Sequence, residues 1–360
     1  MKLEEAVSRI RPADETAVKM AVQKWMGLAK PLGSLGLLED AVIRMAGVFG
    51  TEEVRLENRE LIVFCADNGV VRNGVSQSDA SVTAAVARAL GNGTSTANYM
   101  AESVRCRVLP VDIGMKAHPP YPGLLECPVR KGTDDFTVGP AMSRGECISA
   151  IEAGISLAER SSREGVSIIL AGEMGIGNTT TSCAVASVLL QMEPERLAGR
   201  GAGLSDEGLE RKIWAIEKGI RVNRPDAADP VDLLSKVGGL DLAALCGLCI
   251  GGAFFRIPVL LDGFITAAAA ALAVRLCPAC RFALIPGHVS AEPAAGLLLQ
   301  QLDMKAPVHA GMRLGEGTGA LAALALLDLS LAVYNSGHTF GHLGIEAYKP
   351  FDHDRLRFTV

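Results

Sequence analysis

Short runs of apolar residues, each closed by a polar or glycine-rich turn, recur along the chain. Leu61–Ala66, Arg107–Val111, Val166–Ala171, Ile257–Leu261 and Phe282–Ile285 have the length and unbroken apolar character of strands buried on both faces. The turns that close them are Asp67-Asn68-Gly69, Asp112-Ile113-Gly114, Gly172-Glu173-Met174-Gly175, Asp262-Gly263 and Gly287-His288. Alanine-rich stretches of helical length follow most of these turns, as in Ser81–Leu90, Thr180–Leu190 and Ile265–Leu276. Strand, polar turn and helix in alternation predict an α/β fold: a doubly wound, mostly parallel sheet with helices on both faces. In such sheets the ligand sits beyond the carboxyl ends of the strands, so the polar turns should share one rim and face one cleft. The two ends of the chain differ. Residues 1–48 read as two helices broken at Lys30-Pro31-Leu32-Gly33-Ser34-Leu35-Gly36, and 318–335 as another apolar helix. These ends are expected to pack together as a small helical unit.

Composition narrows the class. The chain has 360 residues, 49% apolar and 21% charged, which fits an ordinary enzyme with a large core. A net charge of −5 and the lack of a basic run argue against nucleic acid as a partner. The longest apolar run, Leu242 to Phe255, is too short to span a bilayer and suits a buried helix. The first residues are acidic and carry no apolar core of a signal peptide, so the expected location is the cytoplasm, with no membrane partner. Nine scattered cysteines suit reduced thiols rather than a disulfide framework. The two CxxC pairs, Cys246/Cys249 and Cys277/Cys280, have the local spacing of zinc ligands, but the first lies in a small-residue helix where cysteine packs as an apolar side chain. Near the carboxyl end His338, His342 and His353 stand with Asp352 and Asp354, and Gly337 and Gly341 interrupt any helix that would align them. No metal site is expected from either group.

Four segments carry candidate chemistry. In Gly311–Ala320 a lone carboxylate, Glu316, stands between Gly315 and Gly317 and close to Arg313. The glycines let a substrate approach the backbone, the arginine can hold an anion, and the acid reads as a general base. The loop 172–181, GEMGIGNTTT, follows a strand and opens a helix, where backbone N–H groups and threonine hydroxyls could cradle a phosphate. A tight structural turn would use the same glycines. The loop is neither a Walker A motif nor GxGxxG, and Glu173 within it calls for a partner that is a hydroxyl or a developing positive charge. A second glycine-rich loop, 199–206, precedes Lys212, which from this segment alone reads as a solvated surface lysine as readily as a phosphate ligand. In 286–293, His288 reads as a structural histidine bonded to backbone, with acid–base work as the alternative. A dinucleotide-dependent oxidoreductase would need GxGxxG after the first strand, and Ala66-Asp67-Asn68-Gly69-Val70 lacks it.

In order along the chain, KPLGSLG at 30–36, ADNGV at 66–70, VDIGM at 111–115, GTDDF at 132–136, GEMGIGNTTT at 172–181, GRGAGLSDEGLERK at 199–212, RIPVLLDGF at 256–264, GHVSAEP at 287–293 and RLGEGTGA at 313–320 resemble the nicotinate-nucleotide:dimethylbenzimidazole phosphoribosyltransferase family of cobamide biosynthesis. The resemblance implies a Rossmann-like α/β catalytic domain over 49–320 and a small helical domain from 1–48 with 321–360. It implies transfer of phosphoribosyl from nicotinate mononucleotide, a substrate rather than a cofactor, to an aromatic lower-ligand base, with inversion at the anomeric carbon. Carried over residue by residue, Glu316 becomes the general base and Glu173 its assistant near the ribose. Gly175, Gly177, Asn178, Thr179, Thr180, Gly203, Lys212, Ser290, Arg313 and Gly315 would bind the nucleotide and its phosphate, and Ser76 and Leu314 would line the acceptor pocket. The family's aromatic-proline pair after GVS, and its glutamine after VT, are replaced by Ser78-Asp79 and Ala84. An aromatic wall and an amide should therefore be missing, which leaves phenol or p-cresol beside benzimidazole or purine as the acceptor. The family implies a homodimer, and its phenol-directed relatives a heterodimer with a paralogous subunit. A non-catalytic, nucleotide-binding partner of such a paralogue is the alternative function.

Overall fold

The computed structural model describes residues 1–116 and 120–349. Six strands, β1 (Arg59–Ala66), β2 (Arg107–Gly114), β3 (Leu125–Glu126), β4 (Ile168–Met174), β5 (Val259–Leu261) and β6 (Leu284–Pro286), form one sheet in the order β3-β2-β1-β4-β5-β6. Every pairing is parallel. The order reverses between β1 and β4, so the crossovers on the two sides of that junction run in opposite directions along the sheet.

Alternation along the strands sorts the core into two layers. Ile62, Phe64 and Ala66 of β1 pack with Ile169 and Ala171 of β4 under the helices Arg144–Arg163, Asn178–Leu190, Leu240–Phe255 and Phe264–Leu276. Leu61, Val63 and Cys65 point the other way, with Ile168 and Leu170, against the helices Glu15–Gly27, Leu37–Phe49, Ser81–Gly91 and Thr318–Tyr334. The Glu15–Gly27, Leu37–Phe49 and Thr318–Tyr334 helices thus meet on one face, where the rings of Trp25 and Tyr334 lie with centroids 4.9 Å apart, while the Leu3–Arg9 helix packs on the other face. Arg59 at the start of β1 pairs with Asp328 of the last long helix and ties that helix to the sheet.

Several boundaries differ from expectation. The N-terminal region holds three helices rather than two: Leu3–Arg9, Glu15–Gly27 and Leu37–Phe49. Arg11-Pro12 interrupts the first stretch, and Asp14 caps the second helix by accepting from Ala17 N at 2.9 Å. β2 runs on to Gly114, because Asp112 and Gly114 keep their partners on β1 through a bulge. β4 runs on to Met174, which places Glu173 in a strand rather than in a turn. Phe282 belongs to a 3-10 turn, Pro278–Ala283, ahead of β6. The two-residue β3 is too short to leave a mark on the hydrophobic pattern.

The run 242–255 is a buried helix, as its composition predicts: every residue from Leu240 to Ala253 is buried. It crosses the Arg144–Arg163 helix at close range, and a Cβ on Gly154 would lie 2.0 Å from the Ala244 carbonyl oxygen. Cys246, Cys249, Cys277 and Cys280 are buried free thiols, and burial pushes Cys249 up to about 12. Among the described residues no group of three or more His, Cys, Asp or Glu is placed to hold a metal. His342 takes part in the cap of the short Phe340–Leu343 helix, while His353, Asp352 and Asp354 lie outside the described residues. Among the described residues no helix is long and apolar enough to cross a membrane.

Gly154→Ala is expected to destabilise the fold by about 1–3 kcal/mol, since the obstacle is backbone. Gly145→Ala, earlier in the same helix and with no atom within 4 Å of its added Cβ, should be neutral or slightly stabilising. Urea unfolding followed by circular dichroism checks both.

Candidate active site

The turns beyond β1, β4, β5 and β6 meet at the carboxyl edge of the sheet and enclose a cleft of about 290 Å³ at the junction where the strand order reverses. Glu173, one residue from the end of β4, and Glu316, just ahead of the Thr318–Tyr334 helix, both line it. Their backbones are tied: Glu316 N–H donates to the Glu173 carbonyl at 3.2 Å. Gly315, Glu316 and Gly317 are consecutive left-handed residues, with φ of 82°, 56° and 78°. For glutamate this conformation costs energy and needs support from its surroundings. Part of that support is Asp262, whose Oδ1 accepts from Gly319 N at 2.7 Å and Ala320 N at 3.1 Å and anchors the start of the helix. Glycine suits position 315, where φ is 82° and a Cβ would press on the Glu173 carboxylate, 2.7 Å from Oε1.

The acids raise one another's pKa. Burial, then the charge of Asp262, raises the Glu316 carboxyl above the ordinary glutamate range. Burial, then Asp241 and Asp262, holds Glu173 well above it, and the Asn178 amide offsets part of the effect. Asn178 Nδ2 donates to Glu173 Oε2 and also to Asp241 Oδ2, at 3.1 Å. Burial pushes Asp241 up to about 6. The Glu316 Oε2 atom is buried and has no hydrogen-bond partner among the described residues.

Beside these acids lies the start of a helix, backed by a buried lysine. The helix Asn178–Leu190 opens from Gly177 and turns its first residues to the cleft. Beneath it Lys212 is fully buried, and its Nζ donates to Thr179 Oγ1 and to the Gly199 carbonyl, both at 2.9 Å. The reading of Lys212 as a surface lysine is overturned: the Asp206–Asn223 helix carries it inward, a phase that its own segment does not reveal. Burial lowers its pKa, and Glu292, which accepts from Gly201 N at 3.1 Å, opposes that shift.

Most of the sequence-picked residues share this cleft. Gly175, Gly177, Asn178, Thr179, Gly203, Ser290, Arg313 and Gly315 line it, as do Ser76, Ser78 and Leu314 on the proposed acceptor side. Thr180 is buried behind the wall. Asp79 and Ala84 are not part of it. Asp79 is exposed and accepts from Ser81 N at 2.8 Å beside the Ser81–Gly91 helix. Ala84 lies about half a turn from Val82 and Val86, the residues that helix presents to the cleft. Sequence reading missed Val82, Val86, Gln77 and Phe264. Gln77 supplies an amide and Phe264 a ring, so the cleft lacks neither group, contrary to expectation. Gln77 Nε2 donates to the Gly203 carbonyl and joins the 74–79 and 199–204 loops over the site. Asp262, placed in a polar turn from the sequence, was not recognised as the anchor of the Glu316 segment. His288 is buried with Nδ1 3.1 Å from the Asp262 carbonyl, the backbone-bonded arrangement its segment suggested.

A doubly wound sheet with paired acids and a glycine-rich helix start at its switch point has the layout of a group-transfer enzyme, and a phosphoribosyltransferase family profile matches residues 10–345. The chain is 42% identical over 352 residues to the nicotinate-nucleotide–dimethylbenzimidazole phosphoribosyltransferase of Ruminiclostridium cellulolyticum, covering 98% of this chain and all of that protein. Its identity to the protein of the same name from Acetivibrio thermocellus is 45% over 331 residues, 92% of this chain and 94% of that one. Among solved structures, CobT from Thermus thermophilus superposes with a TM-score of 0.86 at 35% identity, covering 92% of this chain and 99% of that one. The chain belongs to the nicotinate-nucleotide–dimethylbenzimidazole phosphoribosyltransferase family and is a pentosyltransferase.

Because folding raises the pKa of Glu173, the folded state binds its proton more tightly than the unfolded chain does. Stability therefore falls as the pH rises from the unfolded value toward the folded one. Glu173→Gln should raise the thermal midpoint at pH 8, and by more than at pH 5; equal gains at both would contradict the shift. In carboxyl-labelled protein followed by NMR, the Glu316 midpoint should lie above the ordinary value of about 4.3 and fall in Asp262→Asn.

Proposed function

We propose that the chain moves phosphoribosyl from nicotinate mononucleotide to an aromatic base that becomes the lower ligand of a cobamide. The observation that carries this reading is that one cleft brings together two carboxylates, Glu316 and Glu173, and a helix start at 177–179 over the buried Lys212. The nucleotide has matching parts: its phosphate goes to the helix start, and its ribose, which gains positive charge as the glycosidic bond stretches, goes to the acids. Nicotinate leaves from C1′ with the bonding pair while the acceptor's heteroatom forms the new bond from the opposite face. The acceptor's proton passes to Glu316, whose raised pKa makes it a stronger base than an ordinary glutamate. No cofactor takes part.

Benzimidazole is the favoured acceptor class. Support comes from near-full-length relatives of that name and from the apolar wall of Val82, Val86 and Leu314 in the cleft. A phenol is the rival. Its pKa of about 10 leaves a gap of nearly 6 units to glutamate, or roughly 8 kcal/mol, which burial of Glu316 would only narrow. The working unit is a dimer in the cytoplasm. Leu329 and Val333 are exposed on the outer side of the Thr318–Tyr334 helix, and Tyr99 on the Thr96–Ser103 helix, the kind of side chains a subunit contact covers.

Glu316→Gln should lower turnover by about 10²- to 10⁴-fold while nucleotide binding, measured by calorimetry, survives; near-normal turnover rejects the base assignment. Lys212→Met should raise the KM for nucleotide by about tenfold or more. Phenol, p-cresol, dimethylbenzimidazole and adenine offered together to the purified protein, with products resolved by mass, decide the acceptor. Absence of any product without a paralogue would favour a non-catalytic partner subunit.

A further inference from the structure

A second cavity, of about 400 Å³, lies away from the cleft between the Glu15–Gly27 and Leu37–Phe49 helices, the β5–β6 edge and the flank of the Thr318–Tyr334 helix. Its volume falls in the range of small-molecule sites, roughly 300–1,000 Å³. One wall is apolar, built from Val18, Ile43, Leu260, Ile285 and Leu327. The other carries Arg44, Arg281 and Lys305 against Asp40 and Asp303, three cations to two carboxylates.

The cations are not equally satisfied. Arg281 donates to the carbonyls of Leu302 and Asp303, both at 2.7 Å, and pairs with the Asp303 carboxylate at 3.2 Å. Arg44 donates to the Arg281 carbonyl at 3.2 Å, and among the described residues no carboxylate comes within ion-pair distance of it. Burial, followed by the neighbouring positive charge of Arg281, lowers Arg44 to about 10. Asp40 and Asp303 offset part of that shift from beyond ion-pair distance. A half-buried guanidinium beside a second one, with no carboxylate in direct contact, is an arrangement that a bound anion relieves.

We propose that this cavity binds a small organic anion with an apolar body, such as an aromatic carboxylate, its charged group on Arg44 and its body against Val18, Ile285 and Leu327. The site is independent of the phosphoribosyl cleft and of its residues.

The probe is 4-bromobenzoate. Soaked into crystals of the full chain, it should give an anomalous bromine peak in this cavity with its carboxylate on Arg44. In solution, calorimetry should show binding to the parent protein that weakens by about tenfold in Arg44→Gln and also in Lys305→Glu. The second variant changes only an exposed side chain and keeps the test valid if the first fails to fold. Acetate, which lacks the apolar body, should bind at least about tenfold more weakly than 4-bromobenzoate. No bromine in the cavity, or affinities unchanged in both variants, overturns the proposal.

Discussion

The register between β1 and β4 is the constraint on which the site depends. Phe64 stands opposite Glu173, and Cys65 opposite Met174. With a two-residue period, that pairing turns Glu173 toward the face of Asn178 and Asp241 and leaves the other face of the strand end free for the 315–317 turn. A slip of one residue would send the carboxylate to the opposite layer, among Leu61 and Val63, and remove its contact with the Asn178 amide. The apolar alternation that builds the two core layers is thus also what aims the acid. The same junction is where crossovers diverge, so the cleft opens beside the aimed carboxylate without a separate device.

Charge is segregated within that cleft at a cost to the fold. Glu173, Asp241, Asp262 and Glu316 crowd one end, each raised by burial, and Glu173 and Glu316 further raised by their neighbours. The buried Lys212 is not used to neutralise them; its ammonium bonds to a threonine and a carbonyl. A fold selected for stability alone would pair these groups or replace them. Left without a direct cationic partner, the acids remain available to a sugar that gains positive charge, which suits the proposed substrate.

The sequence revealed the fold where pattern and burial agree. Strands buried on both faces and the apolar 240–255 helix stand out because their whole environment is apolar, and the glycine-rich turns at the rim follow directly from them. Boundaries were less visible where polar residues stay in the ladder. Asp112 and Glu173 read as turn residues by composition, yet they remain in strands because the parallel partner extends past them. Pro12 was visible, but its effect depended on Asp14 capping the next helix two residues later.

The site was legible where a residue type announces its chemistry and hidden where only geometry does. A glutamate framed by glycines can be picked out by reading alone, and Glu316 lies where that reading needs it. Lys212 could not be placed, because whether a helical lysine faces water or a neighbouring helix depends on tertiary phase rather than on adjacent letters. The acceptor wall shows the same limit. Absence of an aromatic and an amide at 78, 79 and 84 was taken as absence from the pocket, but Gln77, one position earlier, and Phe264, from another strand–helix unit, occupy the wall instead. A cleft assembled from several loops can replace a lost group from any of them. Substitution at one expected position is therefore weak evidence about acceptor chemistry until the neighbouring loops have been placed in space.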